Sequence, residues 1–345
     1  MNNQQFFSTR RRFVAGTAGT FAAVAIGGRT LAQDATPVAS PAATPVVEPP
    51  DMTGAAYPFQ VGSFNCHAVS DGAFAGPSLV PLVFGQTSQD ETDRIVAEEG
   101  IDPSQLVAQK TSIVIDTGSE LVLVDTGSGA EAGPGIGLLV DNLRREGIQP
   151  DDIDVVVLTH GHADHIGGTV AASGNPLFSN ARYVMSQEDW NFFTDEQALL
   201  EVYPEEFAQQ QFASAQMNLL PIEDVFELID YDVEIVPGIT SIAAQGHTLG
   251  HMAVQVQSDG EEFWFLGDAA LHSIQLQYPE VVGLPDAQPE RVIETRRTLF
   301  AQVAEAGGMA GFTHVDPFPS LGQVVAEGDV WRWKSVASDV ATPES

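Results

Sequence analysis

Short apolar runs separated by turn residues recur along most of the chain, and their lengths and spacing predict secondary structure. Runs typical of strands lie at residues 59–69, 113–115, 121–124, 155–158, 183–185, 226–229, 233–236, 239–243, 253–256, 262–266, 311–313, 324–326 and 330–333. Helical spacing of apolar residues predicts helices over 137–146, 186–220 and 289–306. A turn at Asp71 and Gly72 is predicted to lead into a long apolar loop over 74–84. Strands and helices alternate in two halves, which indicates an α/β protein and is consistent with two facing sheets and helices outside.

The two ends of the chain do not follow this pattern. Residues 1–32 carry a twin-arginine sequence, Arg10 and Arg11, before a mildly apolar stretch, and predict a Tat-type signal peptide. That stretch is shorter than the ~20 apolar residues of a membrane-spanning helix, so we expect no stable membrane insertion after its removal. The interpretation implies export to the cell envelope or the extracellular space. Residues 33–56 are rich in Ala, Thr and Pro and predict a disordered linker. One domain is predicted at 57–336 and a disordered tail at 337–345.

Four metal-binding side chains fall within six residues directly after the apolar run 155–158. They are His160, His162, Asp164 and His165, separated by the small residues Gly161 and Ala163. Imidazole nitrogens and carboxylate oxygens suit zinc and its first-row neighbours. Because the chain has only 8 histidines, a polar loop that is rich in histidine by chance explains the pattern poorly.

Further candidate ligands also adjoin short apolar stretches. His247 lies in a glycine-framed turn, Asp268 follows the run 262–266, and His314 follows residues 309–313. Several strand ends could therefore bring donors to one place. His251, four residues after His247, is predicted to support the ligands or to hold a turn rather than to bind metal.

These residues resemble the metal motifs of the metallo-β-lactamase-fold hydrolases. The resemblance covers roughly residues 60–335, and Asp125, which ends the run 121–124, matches an aspartate that supports the metal ligands in that family. Ser70-Asp71-Gly72, the stretch from Asp268 to Tyr278, and Thr313-His314 with Pro317 and Pro319 are similar to one branch. That branch contains methyl parathion hydrolase and N-acyl-homoserine lactonases. The resemblance implies an αββα sandwich of two mixed β-sheets with outer helices.

The resemblance also implies a set of two divalent metal ions and the ligands of each. One ion takes His160, His162 and His247, the other takes Asp164, His165 and His314, and Asp268 bridges them. A hydroxide shared by the ions then attacks a carbonyl or phosphoryl group, and Asp164 passes a proton to the leaving group. Asp164 and Asp268 are thus the expected catalytic carboxylates. Zinc is the first candidate metal, with manganese, cobalt and iron as alternatives.

The charge of the chain narrows the choice of partners. The net charge is −33 and the only lysines are Lys110 and Lys334, so a nucleic-acid partner is excluded and a neutral small molecule is favoured. Candidate pocket residues are Phe74, Phe84, Trp190, Phe193 and His272, although each aromatic residue is as consistent with ordinary core packing. A homodimer remains open.

Together these patterns predict an exported two-metal hydrolase that opens neutral lactones or cleaves esters. The first alternative is a phosphotriester hydrolase of the methyl parathion hydrolase type. Persulfide dioxygenase, which uses one iron, and a non-enzymatic metal-binding protein are further alternatives. Seven donors argue against the last, because a structural zinc site is normally closed by four.

Overall fold

The computed structural model describes residues 49–339, which form two seven-stranded sheets in sequence order. The first sheet contains Ala56–Val61 (β1), Phe64–Ala75 (β2), Val107–Asp116 (β3), Leu121–Val124 (β4), Val155–Val157 (β5), Arg182–Ser186 (β6) and Phe226–Ile229 (β7). Its strands pair antiparallel from β1 to β4 and parallel from β4 to β7.

The second sheet is antiparallel except between two strands. It contains Glu234–Val236 (β8), Ile239–Ala243 (β9), Met252–Ser258 (β10), Glu261–Phe265 (β11), Met309–Gly311 (β12), Leu321–Glu327 (β13) and Val330–Ser335 (β14). Only β11 and β12 pair in parallel, because the helix Pro289–Ala306 crosses over between them. Both sheets are therefore mixed.

Nine α-helices accompany the sheets in the described part of the chain. They are Val80–Phe84 (α1), Gln89–Glu99 (α2), Leu139–Arg145 (α3), Ala163–Ile166 (α4), Gln187–Phe193 (α5), Glu196–Val202 (α6), Glu205–Asn218 (α7), Ile274–Gln277 (α8) and Pro289–Ala306 (α9). Short 3₁₀ turns lie at Pro77–Leu79, Pro103–Gln105, Pro150–Asp152, Leu220–Val225 and Val336–Asp339. No helix within residues 49–339 has the length and apolar character that a bilayer crossing needs.

Three hydrophobic layers hold this arrangement together. The inner faces of the two sheets meet in one core, where Val124 and Val157 of the first sheet join Val254 and Phe263 of the second. The outer face of the first sheet packs against α3, α5, α6 and α7, and the outer face of the second packs against α9. The predicted αββα sandwich is confirmed.

The structure corrects three local predictions in the first half of the domain. The predicted strand 59–69 is a hairpin, because Gly62 has φ 55° and places the chain where a Cβ would lie 2.2 Å from the Ser258 carbonyl oxygen. The predicted turn at Asp71 and Gly72 is a bulge inside β2. The predicted loop 74–84 is instead the end of β2 followed by a 3₁₀ turn and α1.

The long helical prediction over 186–220 is also too simple. The region forms three helices, and the chain leaves helical geometry at Asp195, which caps α6 through its side chain, and again at Tyr203 and Pro204. A proline after a helix favours extended backbone in the residue before it, and Tyr203 has φ −107° and ψ 157°. These breaks let α5, α6 and α7 fold back on one another over the sheet.

The ordered domain begins a few residues before the predicted boundary at residue 57. Met52 is buried, its carbonyl oxygen accepts a hydrogen bond from the Asn142 amide, and Gly54 N–H donates to Asn142 Oδ1 at 2.6 Å. The last part of the predicted linker, up to residue 56, is therefore packed on α3. The predicted signal peptide, residues 33–48 of the linker and residues 340–345 of the tail lie outside the described residues and stay predictions.

Candidate metal centre

The histidine-rich segment leaves the first sheet at the end of β5 and turns into α4. Leu158 N–H still donates to the Val184 carbonyl, so the segment starts from a fixed point in the sheet. The turn needs glycine at position 161, where a Cβ would lie 2.4 Å from the Phe193 ring. His160, His162 and His165 are all buried at this end of the sheet.

Three imidazole nitrogens form the first donor group, which consists of His160, His162 and His247. His160 Nε2 lies 2.9 Å from His162 Nδ1, and His162 Nδ1 lies 3.0 Å from His247 Nε2. Burial lowers the pKa of His160 and of His162 well below the ordinary value, so these rings are neutral and their lone pairs are available to a metal. The group therefore has the composition of a zinc site that leaves one position open.

A second donor group consists of Asp164, His165 and His314. His314 Nε2 lies 3.5 Å from Asp164 Oδ2, and His165 Nε2 lies 3.9 Å from Asp164 Oδ1. These separations are close to the roughly 3.3–3.6 Å expected between donors at about 2.0–2.2 Å from one tetrahedral ion.

Asp268 lies between the two groups. Its Oδ2 is 3.3 Å from His247 Nε2 and 3.8 Å from His160 Nε2 in the first group. The same oxygen is 3.4 Å from His165 Nε2 and 3.1 Å from His314 Nε2 in the second. One carboxylate that faces four imidazole nitrogens from both groups has the position of a bridging ligand.

Two buried atoms show that these residues suit a metal. Asp268 Oδ1 and His165 Nε2 have no hydrogen-bond partner among the described residues, although burying an unpaired polar atom is costly. A divalent ion would satisfy both atoms. The structure thus brings all seven predicted ligands together in an arrangement that fits metal.

Asp125 and Thr159 orient two of the histidines. Asp125 accepts hydrogen bonds from Thr159 N–H at 2.8 Å and from His165 Nδ1 at 2.8 Å, which leaves His165 Nε2 facing the centre. Thr159 Oγ1 lies 3.0 Å from His160 Nδ1, which leaves His160 Nε2 facing the centre. Asp125 occupies the supporting position that the sequence predicts.

His251 is placed behind Asp268 rather than among the donors. Its Nδ1 donates to the Ala244 carbonyl at 3.0 Å, and its Nε2 accepts the backbone N–H of Asp268 at 3.1 Å. Burial lowers the pKa of His251 to about 3, so the ring is neutral and keeps this acceptor. His251 therefore fixes the backbone of the bridging residue.

His247 is held by a buried ion pair that sequence reasoning missed. Its Nδ1 donates to Asp286 Oδ1 at 2.8 Å, and Asp286 Oδ2 accepts from Arg296 at 3.1 Å. Arg296 is fully buried on α9 and also donates to the carbonyls of Ala269 and Val281. The available signal was Arg296 itself, a charged residue at a buried position of a helix whose other buried residues, apart from Thr295, are apolar.

Tyr203 and Lys110 are two more residues that sequence reasoning did not place at the centre. The Tyr203 hydroxyl lies 3.3 Å from His162 Nε2 and donates to the Pro285 carbonyl at 3.0 Å, so His162 presents Nδ1 to the donor group. Lys110 is buried on β3 and its ammonium donates to Asp164 Oδ2. Lys110 therefore places a buried cation beside the second donor group.

Asp189 joins the two loops that carry the first donor group. Its carboxylate accepts Gly161 N–H and Gly250 N–H, each at 2.8 Å, and the side chain is fully buried. Burial raises the pKa of Asp189 to about 6. The energetic cost of this buried carboxylate is offset by the two backbone donors.

Asp189→Ala is expected to lower the free energy of unfolding by about 2–4 kcal/mol, because two buried N–H groups lose their acceptor. Urea denaturation of the zinc-loaded protein measures the change. Asp195→Ala is the matched control, since Asp195 accepts only one exposed N–H, that of Gln197, at the start of α6. It should cost about 1 kcal/mol. Equal effects of the two substitutions would contradict the bridging role of Asp189.

A cleft opens over the donor groups. Its floor contains His162, His247, Asp268, Asp164 and His314. Its walls are Phe74, Leu79, Leu82, Val83, Leu106, Val107, Ala108, Phe207, Gln211, Leu271, His272 and Pro285. The centre is therefore reached through a largely apolar cleft.

The structure corrects three of the five predicted pocket residues. Phe74 and His272 line the cleft, but Phe84, Trp190 and Phe193 do not. Phe84 is buried beside α2, and Trp190 packs on Phe226 with ring centroids 4.8 Å apart. Phe193 packs edge-on behind His162 at 5.3 Å. Sequence alone does not separate such core aromatics from pocket aromatics.

Comparison with known proteins identifies the family of this chain. A model of the metallo-beta-lactamase superfamily matches residues 107–314, more than half of the chain. The chain belongs to this superfamily. The matched region contains all seven donors of the two groups.

Curated members of the superfamily align with shorter stretches. N-acyl homoserine lactonase from Bacillus cereus is 27% identical over 122 residues, which are 35% of this chain and 40% of that protein. Metallo-beta-lactamase domain-containing protein 1 from Xenopus laevis is 36% identical over 80 residues, 23% of this chain and 30% of that protein. The chain thus matches less than half the length of these relatives.

Solved structures in the superfamily match over a greater length. AidC, described as a dizinc quorum-quenching lactonase and solved with a product, superposes with a TM-score of 0.73 at 21% identity, covering 83% of this chain and 98% of AidC. The hydrolase AbOPH superposes with a TM-score of 0.72 at 26% identity, covering 81% of this chain and 97% of that one. Both share the sandwich.

Proposed function

We propose that this superfamily member is a hydrolase that holds two divalent metal ions, with zinc as the first candidate, and opens neutral lactones or cleaves esters. The observation that carries the proposal is the position of Asp268 Oδ2, within 3.1–3.8 Å of four imidazole nitrogens from two donor groups. The similarity to the dizinc lactonase AidC supports zinc as the metal. The similarity to N-acyl homoserine lactonase supports lactones as the substrate class.

The first donor group would hold one ion, the second would hold the other, and Asp268 would bridge them. When bound, such a pair of ions lowers the pKa of water and withdraws electron density from a carbonyl oxygen. Asp125, Asp286 and Tyr203 keep the ligand rings turned toward the centre, so little reorganisation is needed when substrate enters.

Asp164 is the carboxylate best placed to move a proton. It lines the cleft, and its side chain is 29% exposed, whereas that of Asp268 is 4% exposed. Asp164 would therefore accept the proton of the attacking hydroxide and deliver it to the leaving oxygen of a lactone lying on the cleft floor. Opening a lactone in this way leaves a carboxylate and an alcohol on one product molecule.

The cleft walls favour substrates with an apolar portion. Leu79, Leu82, Val83 and Leu106 offer aliphatic surface beside the donors, and burial of an acyl chain is favourable by about 25 cal/mol per Å². Lys110 does not change this preference, because its charge is already paired with Asp164. N-acyl-homoserine lactones with long acyl chains are thus the first substrates to test.

Leu82→Ala is expected to reduce kcat/KM for a decanoyl-homoserine lactone roughly tenfold and to leave the butanoyl lactone nearly unchanged, because about 1–2 kcal/mol of apolar contact is lost only with the long chain. Hydrolysis rates for the two lactones measure the ratio. Leu228→Ala, on β7 and outside the cleft, is the control and should leave the ratio unchanged. Equal loss for both lactones in Leu82→Ala would contradict an acyl site at this wall.

A panel of substrates separates the alternatives. A phosphotriester such as paraoxon tests the methyl parathion hydrolase type, and oxygen consumption with a persulfide tests the dioxygenase. If the phosphotriester is hydrolysed faster than every lactone and aryl ester, the proposed substrate class is wrong, and the proposed metal centre still holds. Bound iron together with oxygen consumption would indicate a dioxygenase rather than a hydrolase. If the metal-loaded protein converts none of the substrates in the panel, a metal-binding role is favoured.

A further inference from the structure

Lys110 lies at the edge of the second donor group. Its side chain is 1% exposed, its ammonium donates to Asp164 Oδ2, and it lies 4.5 Å from the centroid of the Phe74 ring. Asp164 is also one of the three donors of the second group. The Asp164 carboxylate thus pairs with a fixed ammonium and is also positioned to bind a metal ion.

The backbone on both sides of Lys110 is fixed to the loop that carries His314. Gln109 N–H donates to the His314 carbonyl and Thr111 N–H donates to the Thr313 carbonyl, each at 3.1 Å. His314 Nδ1 donates back to the Gln109 carbonyl at 2.7 Å. Because β3 is anchored on both sides, we expect the ammonium to remain beside the second group when a metal enters.

The first donor group has a different electrostatic environment. A buried cation behind it, Arg296, is paired with Asp286, and Asp286 is not among the seven donors. The Lys110 ammonium has no such separate partner among the described ion pairs, since its carboxylate is a donor itself. Like charges repel more strongly in a buried site than in water, so an ion in the second group meets a cation that no carboxylate outside the donor set neutralises.

We infer that Lys110 makes the two metal positions unequal, so that the first donor group fills at low metal concentration and the second binds more weakly. Lys110 acts through Asp164 and is a positioning residue. The inference rests on the proposed two-ion centre. Asp125, which favours a cation at His165, is present in the wild type and in the variants below and does not affect their comparison.

Metal binding, rather than hydrolysis, tests the inference. Metal-free protein is titrated with zinc in competition with a chromophoric chelator, for the wild type and for Lys110→Met. The second step should be at least about tenfold weaker than the first in the wild type, and Lys110→Met should tighten it at least about tenfold because a buried positive charge is removed. The first step should change less than the second, because Coulomb repulsion falls with distance from Lys110.

The chain offers a matched control, because its only other lysine, Lys334, is exposed on β14. Lys334→Met removes the same charge at a solvent-screened position and should titrate like the wild type. Circular dichroism confirms that each variant is folded, and two equal steps in the wild type still overturn the inference if Lys110→Met does not fold.

The outcomes separate this inference from the function on which it rests. Two ions bound with equal affinity in the wild type would overturn the inference. So would a second binding step that Lys110→Met leaves unchanged or weakens. Either result would leave the proposed two-ion hydrolase unaffected. A single ion in the wild type and in Lys110→Met would overturn both. A single ion in the wild type and two in Lys110→Met would support the inference in its strongest form.

Discussion

Asp268→Asn is expected to reduce hydrolysis at least about a thousandfold, which corresponds to roughly 4 kcal/mol of transition-state stabilisation. The substitution keeps the shape of the side chain but removes the charge that faces histidines of both donor groups. The same variant should hold at most one ion, because the bridging carboxylate contributes to both positions. Steady-state hydrolysis of a lactone and elemental analysis after zinc loading measure the two effects.

The control for this variant is Asp329→Asn, which changes an exposed aspartate in the turn between β13 and β14. It should retain wild-type activity and metal content. If Asp268→Asn still holds two ions and hydrolyses within tenfold of the wild type, Asp268 is not the bridge.

Asp286→Ala is expected to lower the free energy of unfolding by about 3–5 kcal/mol, because it leaves the fully buried Arg296 without its carboxylate. Burial by itself would raise the pKa of Asp286, but Arg296 and His247 outweigh burial and lower it, so the carboxylate is charged in the folded protein. His247 also loses the acceptor that orients its ring, and zinc affinity should fall about 10–100-fold.

Urea denaturation and a chelator competition measure these two losses. Glu294→Ala is the matched control, since it breaks the exposed pair with Arg291 on the same helix. That pair should contribute less than about 1 kcal/mol. A loss of stability in Asp286→Ala no larger than in Glu294→Ala would show that the buried pair does not support His247.

The ligands could be predicted from sequence because each lies beside a strand that the apolar pattern locates. Four donors share one short segment, and Asp268 and His314 follow β11 and β12, whose carboxyl ends meet because the strands are parallel. The sandwich of two mixed sheets came from the family resemblance, since periodicity gives strand positions but not pairing.

What sequence did not reveal depends on contacts between distant residues. Lys110 hydrogen-bonds to Asp164, 54 positions away in the sequence, and Asp189 to Gly250, 61 positions away. The pocket walls were predicted from aromatic residues, whereas aliphatic residues supply most of them, and Trp190 completes the packing of α5 on β7 instead. Burial of an aromatic ring is favourable in either place, so composition does not distinguish them.

Helix α2 was also not predicted, because its pattern is mostly polar and only Thr92 and Ile95 are buried. The capping residues at its two ends indicate this helix more clearly than its apolar pattern does. The Ser88 hydroxyl accepts Glu91 N–H at the start, and Gly100 ends the helix with φ 64°, a conformation that favours glycine.

The two-ion centre is tested by returning zinc to metal-free protein and measuring, at each addition, the ions bound per chain and the hydrolysis of decanoyl-homoserine lactone. We expect no hydrolysis without metal and a rise that reaches its plateau when two ions are bound per chain. Hydrolysis that persists in the metal-free protein, or none when two ions are bound, would contradict it.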